Sequence, residues 1–257
     1  MATATATVTD LRPWTPGDSN CIAPADDCLD VTHAAADIED MKHRPEDQGL
    51  DLACCLTAPW YWLVNHCVTL DEHDAEHPYK RFPPLAYLRA VADDWWWTGI
   101  KRPGHKERPG LALPKSRKNL MTWLIALLFF GECQFCRGKL NLVQSYKLEE
   151  AEAVIAKMHG AWERQPPWIR QPCEWTTTEA RFVHNDSRFK AVPHGPEQLQ
   201  GPTLSGYLWD EVGDHEEAAE TFEAALPAVG EGGRIVMVGR TPRSWWHDVF
   251  LADKIGE

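Results

Sequence analysis

The chain has 257 residues, 44% of them hydrophobic and thirteen of them Trp, which excludes a wholly disordered protein and allows one large domain with an appendage. Its net charge of -12 is carried by residues 1–77, where fifteen Asp/Glu face only Arg12, Lys42 and Arg44; residues 78–257 balance at 23 acids and 23 bases. The eight Cys are irregularly spaced and no apolar leader precedes them, which argues against a secreted disulfide framework and for a reduced, cytosolic protein.

Residues 1–48 combine an Ala/Thr run with Pro, Gly and many acids. They are expected to form a mobile or loosely docked arm, either a solvated tail or a contact surface. The apolar run from Leu50 to Leu70 contains Asp51, Pro59, Asn65 and His66, so it reads as a packed helix with an aromatic face at Trp60, Tyr61 and Trp62, not as a membrane span. From Trp60 to Trp97 the pattern stays helical and aromatic, broken at His77-Pro78 and Pro83-Pro84. Basic residues then cluster at Lys101, Arg102, Lys106, Arg108, Lys115, Arg117 and Lys118.

The stretch from Leu111 to Thr122 runs into the apolar segment Trp123–Phe130 and predicts a short strand, a tight basic loop and a buried helix. Backbone N–H groups at a helix start, with cations nearby, receive anions such as phosphate. An ordinary solvated turn has the same composition. The phosphate-loop signature is Gly-x-x-x-x-Gly-Lys-Ser/Thr. Here Leu120-Met121-Thr122 fills its last three places, so only the hydroxyl survives and the lysine's charge has to come from Lys115, Arg117 or Lys118.

Beyond this helix, Lys139–Gln144 reads as a strand, Lys147–Arg164 as a helix, and Pro166, Pro167 and Pro172 as a surface excursion. Arg181–His184 and Ser187–Lys190 form a hairpin about Asn185-Asp186. Buried strands follow at Leu204–Trp209 and Arg234–Val238, with a helix from Asp214 to Leu226 between them. The alternation predicts an α/β fold: a mainly parallel sheet of the phosphate-loop NTPase kind, flanked by helices and preceded by a helical or irregular extension. The acids Asp210 and Glu211 end a strand, where they can hold Mg2+ and orient water, or instead cap the following helix. Cys133 and Cys136 have zinc-like spacing without a matching second pair; Cys54, Cys55, His66, Cys67 and Cys173 are further candidate ligands, buried thiols being the default.

In order, Tyr61-Trp62, Asp71–Asp74, Phe82–Leu88, Pro114–Arg117, Gln144-Ser145, Asn185–Ser187, Gly201–Thr203, Trp209–Glu211 and Thr241-Pro242 resemble the ATPase portion of tailed-phage large terminases, the motors of DNA packaging. The resemblance spans about residues 60–250 and implies an ATPase domain over 49–257 that binds ATP and Mg2+. It implies that Lys115, Ser116, Arg117, Lys118, Asn119, Leu120, Met121 and Thr122 bind the nucleotide, with Arg117 also catalytic, that Thr122 and Asp210 hold the metal, and that Glu211 activates water. Thr241 would be the coupling residue, and Tyr79, Phe82 or Tyr87 would stack on adenine. The implied partners are double-stranded DNA without sequence preference, the portal and procapsid, a small terminase subunit and further copies of the chain in a ring, in the host bacterial cytoplasm.

Two departures stand out. Leu199-Gln200-Gly201 stands about ten positions before the acidic pair, where many terminases carry Leu-Arg-Gly; either Arg181, Arg188 or another residue replaces that arginine, or the isolated chain is a slow ATPase. The chain also ends at Glu257 with no further cluster of acids on strand ends, so no nuclease activity is expected. A scaffold that binds nucleotide or DNA without hydrolysis, and another phosphate-loop DNA translocase, remain the alternatives.

Overall fold

The structure, a computed structural model, describes residues 40–42, 44–97, 110–116 and 119–240. Most of the acidic arm, the basic residues Lys101–Arg108, Arg117, Lys118 and Thr241 lie outside the described residues.

The run expected as one packed helix is two helices and a strand. Helix α1 (Pro45–Thr57) starts on a proline with Glu46 and Asp47 in its first turn, where the missing N–H costs nothing and negative charge meets the helix dipole. Proline disfavours the helical conformation of the residue before it, so Ala58 is extended (φ -134°, ψ 95°) and α2 (Pro59–His66) restarts on Pro59. Strand β1 (Val68–Leu70) then pairs antiparallel with β2 (Tyr79–Arg81). The acids between them, read above as part of a helical pattern, build the hairpin's loop: Asp74 Oδ1 accepts the N–H groups of Glu76 and His77. Helix α3 (Ala86–Trp97) follows.

Strand β3 (Gly110–Pro114), helix α4 (Met121–Phe135), strand β4 (Leu140–Gln144) and helix α5 (Leu148–Glu163) fall where the sequence pattern puts them. Next come β5 (Glu174–Trp175), β6 (Glu179–Phe182), β7 (Ser187–Val192), β8 (Leu204–Asp210), α6 (Ala218–Ala228) and β9 (Val229–Gly239). Helix α6 starts four residues later than expected, because Val212–Asp214 forms a single 3-10 turn after Glu211.

Seven strands form one sheet in the order β3-β9-β8-β4-β7-β6-β5. From β3 to β7 all neighbours are parallel; β6 and β5 add antiparallel pairs at the far edge. The fold is thus a mainly parallel sheet covered on both faces. Alternation along each strand separates the faces: Leu208, Val236 and Val238 pack with α4 and α5, while Tyr207, Trp209, Ile235 and Met237 pack with α6. Helix α4 is buried almost all round and mostly apolar, as a central helix must be. The N-terminal helices close over it, with Trp62 edge-on to Phe135 and Trp95 edge-on to Phe129, each at 5.7 Å. At the base of α4, Glu132 is buried with Arg234 Nη1 at 2.7 Å, Lys139 Nζ at 3.3 Å and Asn141 Nδ2 at 3.0 Å. Burial pushes the Glu132 carboxyl up, but these positive charges and the amide N–H outweigh it and hold the group below its ordinary value.

Among the described residues no helix is long and apolar enough to cross a membrane. Cys133 is buried and its thiol donates to the Arg188 carbonyl at 3.2 Å, so this half of the zinc-like pair has a packing role. Among the described residues neither Cys133 nor Cys136 belongs to a cluster of three metal-ligating side chains.

Candidate functional site

The site forms where β3, β9 and β8 end side by side. Pro114 pairs with Gly239 and Val238 with Asp210, and the Lys115 N–H donates to the Gly239 carbonyl at 2.8 Å, so the loop leaves β3 tied to the neighbouring strand. A parallel sheet presents such strand ends together, and ligands of open α/β sheets bind just outside them.

Four predicted site residues converge there. Lys115 Nζ donates to Asp210 Oδ1 at 2.6 Å and to Thr122 Oγ1 at 2.8 Å, and lies 3.1 Å from Glu211 Oε1. Thr122 Oγ1 is 3.1 Å from both Asp210 oxygens. Lys115 and Asp210 side chains are each 11% exposed, so this is a charge cluster at the floor of a cleft, not a surface ion pair. Lys115, the described one of the three loop cations, is thereby placed at the acids. Met121, at the usual lysine position, is buried against the core and brings no charge to the cleft.

The backbone supplies a second signal. Among the described residues only three non-glycine residues have positive φ: Leu120 (60°), Asp186 (55°) and Glu211 (52°). Asp186 sits in the β6–β7 turn, where such a conformation is ordinary. Leu120 and Glu211 both face the cleft, and each costs on the order of 1 kcal/mol relative to glycine. Leu120 thus keeps the left-handed turn that the signature's glycine makes without strain, and Asn119 Oδ1 accepts the Met121 N–H at 3.2 Å to start α4. Glu211 turns its carboxylate back toward Lys115 instead of capping α6, whose N-cap Glu217 makes no side-chain cap bond. Its Oε2 is buried, accepts no hydrogen bond and stands 3.8 Å from Arg240 Nε, while Arg240 Nη2 donates to Asp214 at 3.0 Å.

Over this cluster lies a cavity of about 650 Å³, within the usual range of small-ligand pockets. Lys115, Ser116, Asn119, Leu120, Met121, Thr122 and Glu211 line one wall. The opposite wall was not legible in sequence: the β1–β2 hairpin contributes Asp71, Glu72, His73 and Lys80, and α5 contributes Lys157. The Asp71–Asp74 cluster was a signal, but without the hairpin nothing tied it to the loop. Arg240 also lines the cavity. Of the three aromatics considered for stacking, Phe82 is buried against Trp60 in the core and the Tyr79 ring is covered by Arg164 at 3.3 Å. Tyr87 is half exposed, and its hydroxyl reaches the Asn119 carbonyl at 3.1 Å. Arg181 and Arg188 lie at the opposite ends of the strands, beside Glu174 at 3.6 Å and Glu179 at 3.8 Å.

The donor set suits a hard divalent cation. Thr122, Asp210 and Glu211 present only oxygens, and they already converge on one cationic atom, Lys115 Nζ, which demonstrates that a positive charge fits among them.

No protein-family model matches the sequence, and no curated protein does. Solved structures do share the fold. The HK97 bacteriophage large terminase superposes with a TM-score of 0.57 at 13% identity over 76% of this chain and 40% of its own length. The large terminase of a thermophilic bacteriophage gives 0.51 at 14% identity, over 68% of this chain and 44% of its own. The chain therefore spans about two-fifths of the length of these proteins and has their fold over most of its described part.

Proposed function

We propose that this chain is the ATPase motor of a viral DNA-packaging machine, hydrolysing ATP with Mg2+ to move double-stranded DNA into a procapsid. The observation that carries the reading is the convergence of Lys115, Thr122, Asp210 and Glu211 at the strand ends beneath the cavity. The shared fold with large terminases supports it.

Lys115 and the backbone N–H groups of the turn from Ser116 to Thr122 hold the phosphates, aided by Arg117 and Lys118; Arg117 also stabilises charge as the terminal phosphate leaves. The Thr122 hydroxyl and the Asp210 carboxylate hold the divalent ion. Mg2+, when bound, would neutralise charge on the outer phosphates. Glu211 Oε2, buried and without a hydrogen-bond donor, accepts the proton of the attacking water and aims it in line. Thr241, just past β9, senses the terminal phosphate and passes its loss to the DNA-gripping surface. Contacts to DNA are made to phosphates, so binding falls with salt and ignores sequence. The portal, a small terminase subunit and further copies of the chain complete the working ring in the host cytoplasm.

The test is steady-state hydrolysis and nucleotide binding with Mg2+, with and without double-stranded DNA and procapsids. Glu211→Gln is expected to keep nucleotide binding and lose about 10²–10⁴-fold in turnover, whereas Asp210→Asn weakens binding of the metal–nucleotide pair itself. Unchanged turnover in Glu211→Gln removes this assignment. Tight nucleotide binding with no turnover under any of these conditions replaces the motor with a non-hydrolysing scaffold.

A further inference from the structure

Outside the cleft, one cluster of side chains has the chemistry of a ligand site. Asp51 and Cys55 stand one turn apart on α1, and His66 ends α2; their donor atoms all lie within 4.8 Å of one another, and all three residues are buried. Among the described residues it is the one group of three such side chains. The break at Ala58-Pro59 folds α2 back on α1 and so brings His66 to the acid.

Two observations point to a bound ion. An oxygen of Asp51, the sulfur of Cys55 and a ring nitrogen of His66 meet in one buried place; His66 Nε2 lies 2.9 Å from Asp51 Oδ1, so an ion held there would take the place of the proton the two share. The Asp51 carboxylate is held in place from outside: Tyr61 OH donates to Oδ1 at 2.7 Å and Trp168 Nε1 to Oδ2 at 2.8 Å. Metal-binding carboxylates have such outer partners, which fix the ligand's direction.

We propose that Asp51, Cys55 and His66 bind one Zn2+ ion, which fastens α1 and α2 to the loop that carries Trp168. One thiolate, one imidazole and one carboxylate make a borderline donor set that suits zinc, not the hard ions of the nucleotide cleft. Three protein ligands leave the fourth tetrahedral position to a solvent molecule or another donor. The ion's role is architectural. It stands apart from the cleft, so the proposal does not depend on the ATPase reading.

The full chain, purified after expression with zinc in the medium, is analysed for metal content and then loaded with Co2+ as a spectroscopic substitute. The expected result is one zinc per chain, and in the cobalt form the visible bands of a tetrahedral ion with a sulfur-to-cobalt charge-transfer band. Cys55→Ser abolishes the charge-transfer band, and Trp168→Phe, which leaves all three ligands in place, lowers cobalt affinity about 10- to 100-fold. A chelator lowers the Tm of the wild-type chain but not that of Cys55→Ser, so a variant that merely folds poorly is told apart by its chelator response. Less than a tenth of an ion per chain with no cobalt bands, or a charge-transfer band that persists in Cys55→Ser, overturns the proposal.

Discussion

Replacing Lys115 by methionine keeps the length of the side chain and removes its charge. Asp210 and Glu211 then face each other and Thr122 without the ammonium that lies 2.6 and 3.1 Å from them. Removing one partner of a fully buried pair costs about 3–5 kcal/mol. Glu211 is 27% exposed and the cluster opens on the cavity, so water offsets part of this and about 2–4 kcal/mol is expected, or roughly 4–16 °C in Tm. A divalent ion can replace the lost charge. Thermal unfolding with and without Mg2+, in the absence of nucleotide, should therefore restore much of the loss in Lys115→Met while changing the wild-type chain little, because there the ammonium competes for the same oxygens. Equal stability of the two proteins, with no response to Mg2+ in either, would refute the electrostatic coupling on which the site's assignment rests.

Other perturbations test the frame that holds this cluster. A methyl group at Gly206 would lie 2.2 Å from the Phe129 ring and 2.7 Å from Asn141 Oδ1, so Gly206→Ala should force β8 away from α4. The expected loss is about 1–3 kcal/mol or more in urea unfolding. Arg234→Met strips Glu132 of its nearest counter-charge and should cost about 3 kcal/mol at neutral pH, Lys139 remaining in place. The same network sets an acid limit. Glu132 titrates below its ordinary value of 4.5 in the folded chain, so its contribution is complete above that pH and disappears as pH falls through the lower, folded value. Unfolding free energies measured between pH 7 and pH 3 should fall more steeply in the wild type than in Arg234→Met; equal slopes would contradict the pairing.

Local rules were sufficient for much of this molecule. The loop between β3 and α4, the strand ending in Asp210-Glu211 and the β6–β7 hairpin are each written in contiguous residues, through apolar runs, polar turns and the 3.6- and 2-residue periods. Failures came where distant residues decide. The Leu50–Leu70 run is apolar apart from a few polar residues without a regular spacing, so periodicity could not separate helix from strand; the extended Ala58 before Pro59 and the pairing of β1 with β2 did. Strand β5 is two residues long and exists only because β6 is beside it. The far wall of the cavity, with Lys80 and Lys157, needs the hairpin and α5 to approach the loop, a contact between segments that share no motif. Fold and acidic pair were thus readable, whereas the reach of Lys115 to Asp210 was not, because spacing along a loop does not say which side chain crosses to another strand.

What lets Lys115 cross is the strand order. Strand β9 lies between β3 and β8, and neighbouring strands are roughly 4.8 Å apart, so a residue ending β3 and one ending β8 are separated by roughly 10 Å. The four-carbon stem of a lysine from one side and a carboxylate from the other span that distance. The hydrogen bond from the Lys115 N–H to Gly239 extends the β3–β9 ladder by one residue and fixes the direction in which the side chain leaves. Successive residues of an extended chain point to opposite sides, so Ser116, the next residue, cannot make the same reach. Exchanging the two, Lys115→Ser with Ser116→Lys, preserves composition and charge but should bind nucleotide as poorly as Lys115→Ser alone, measured by nucleotide titration. Wild-type affinity in the exchanged chain would mean that the loop, and not the register of β3 on β9, positions the charge.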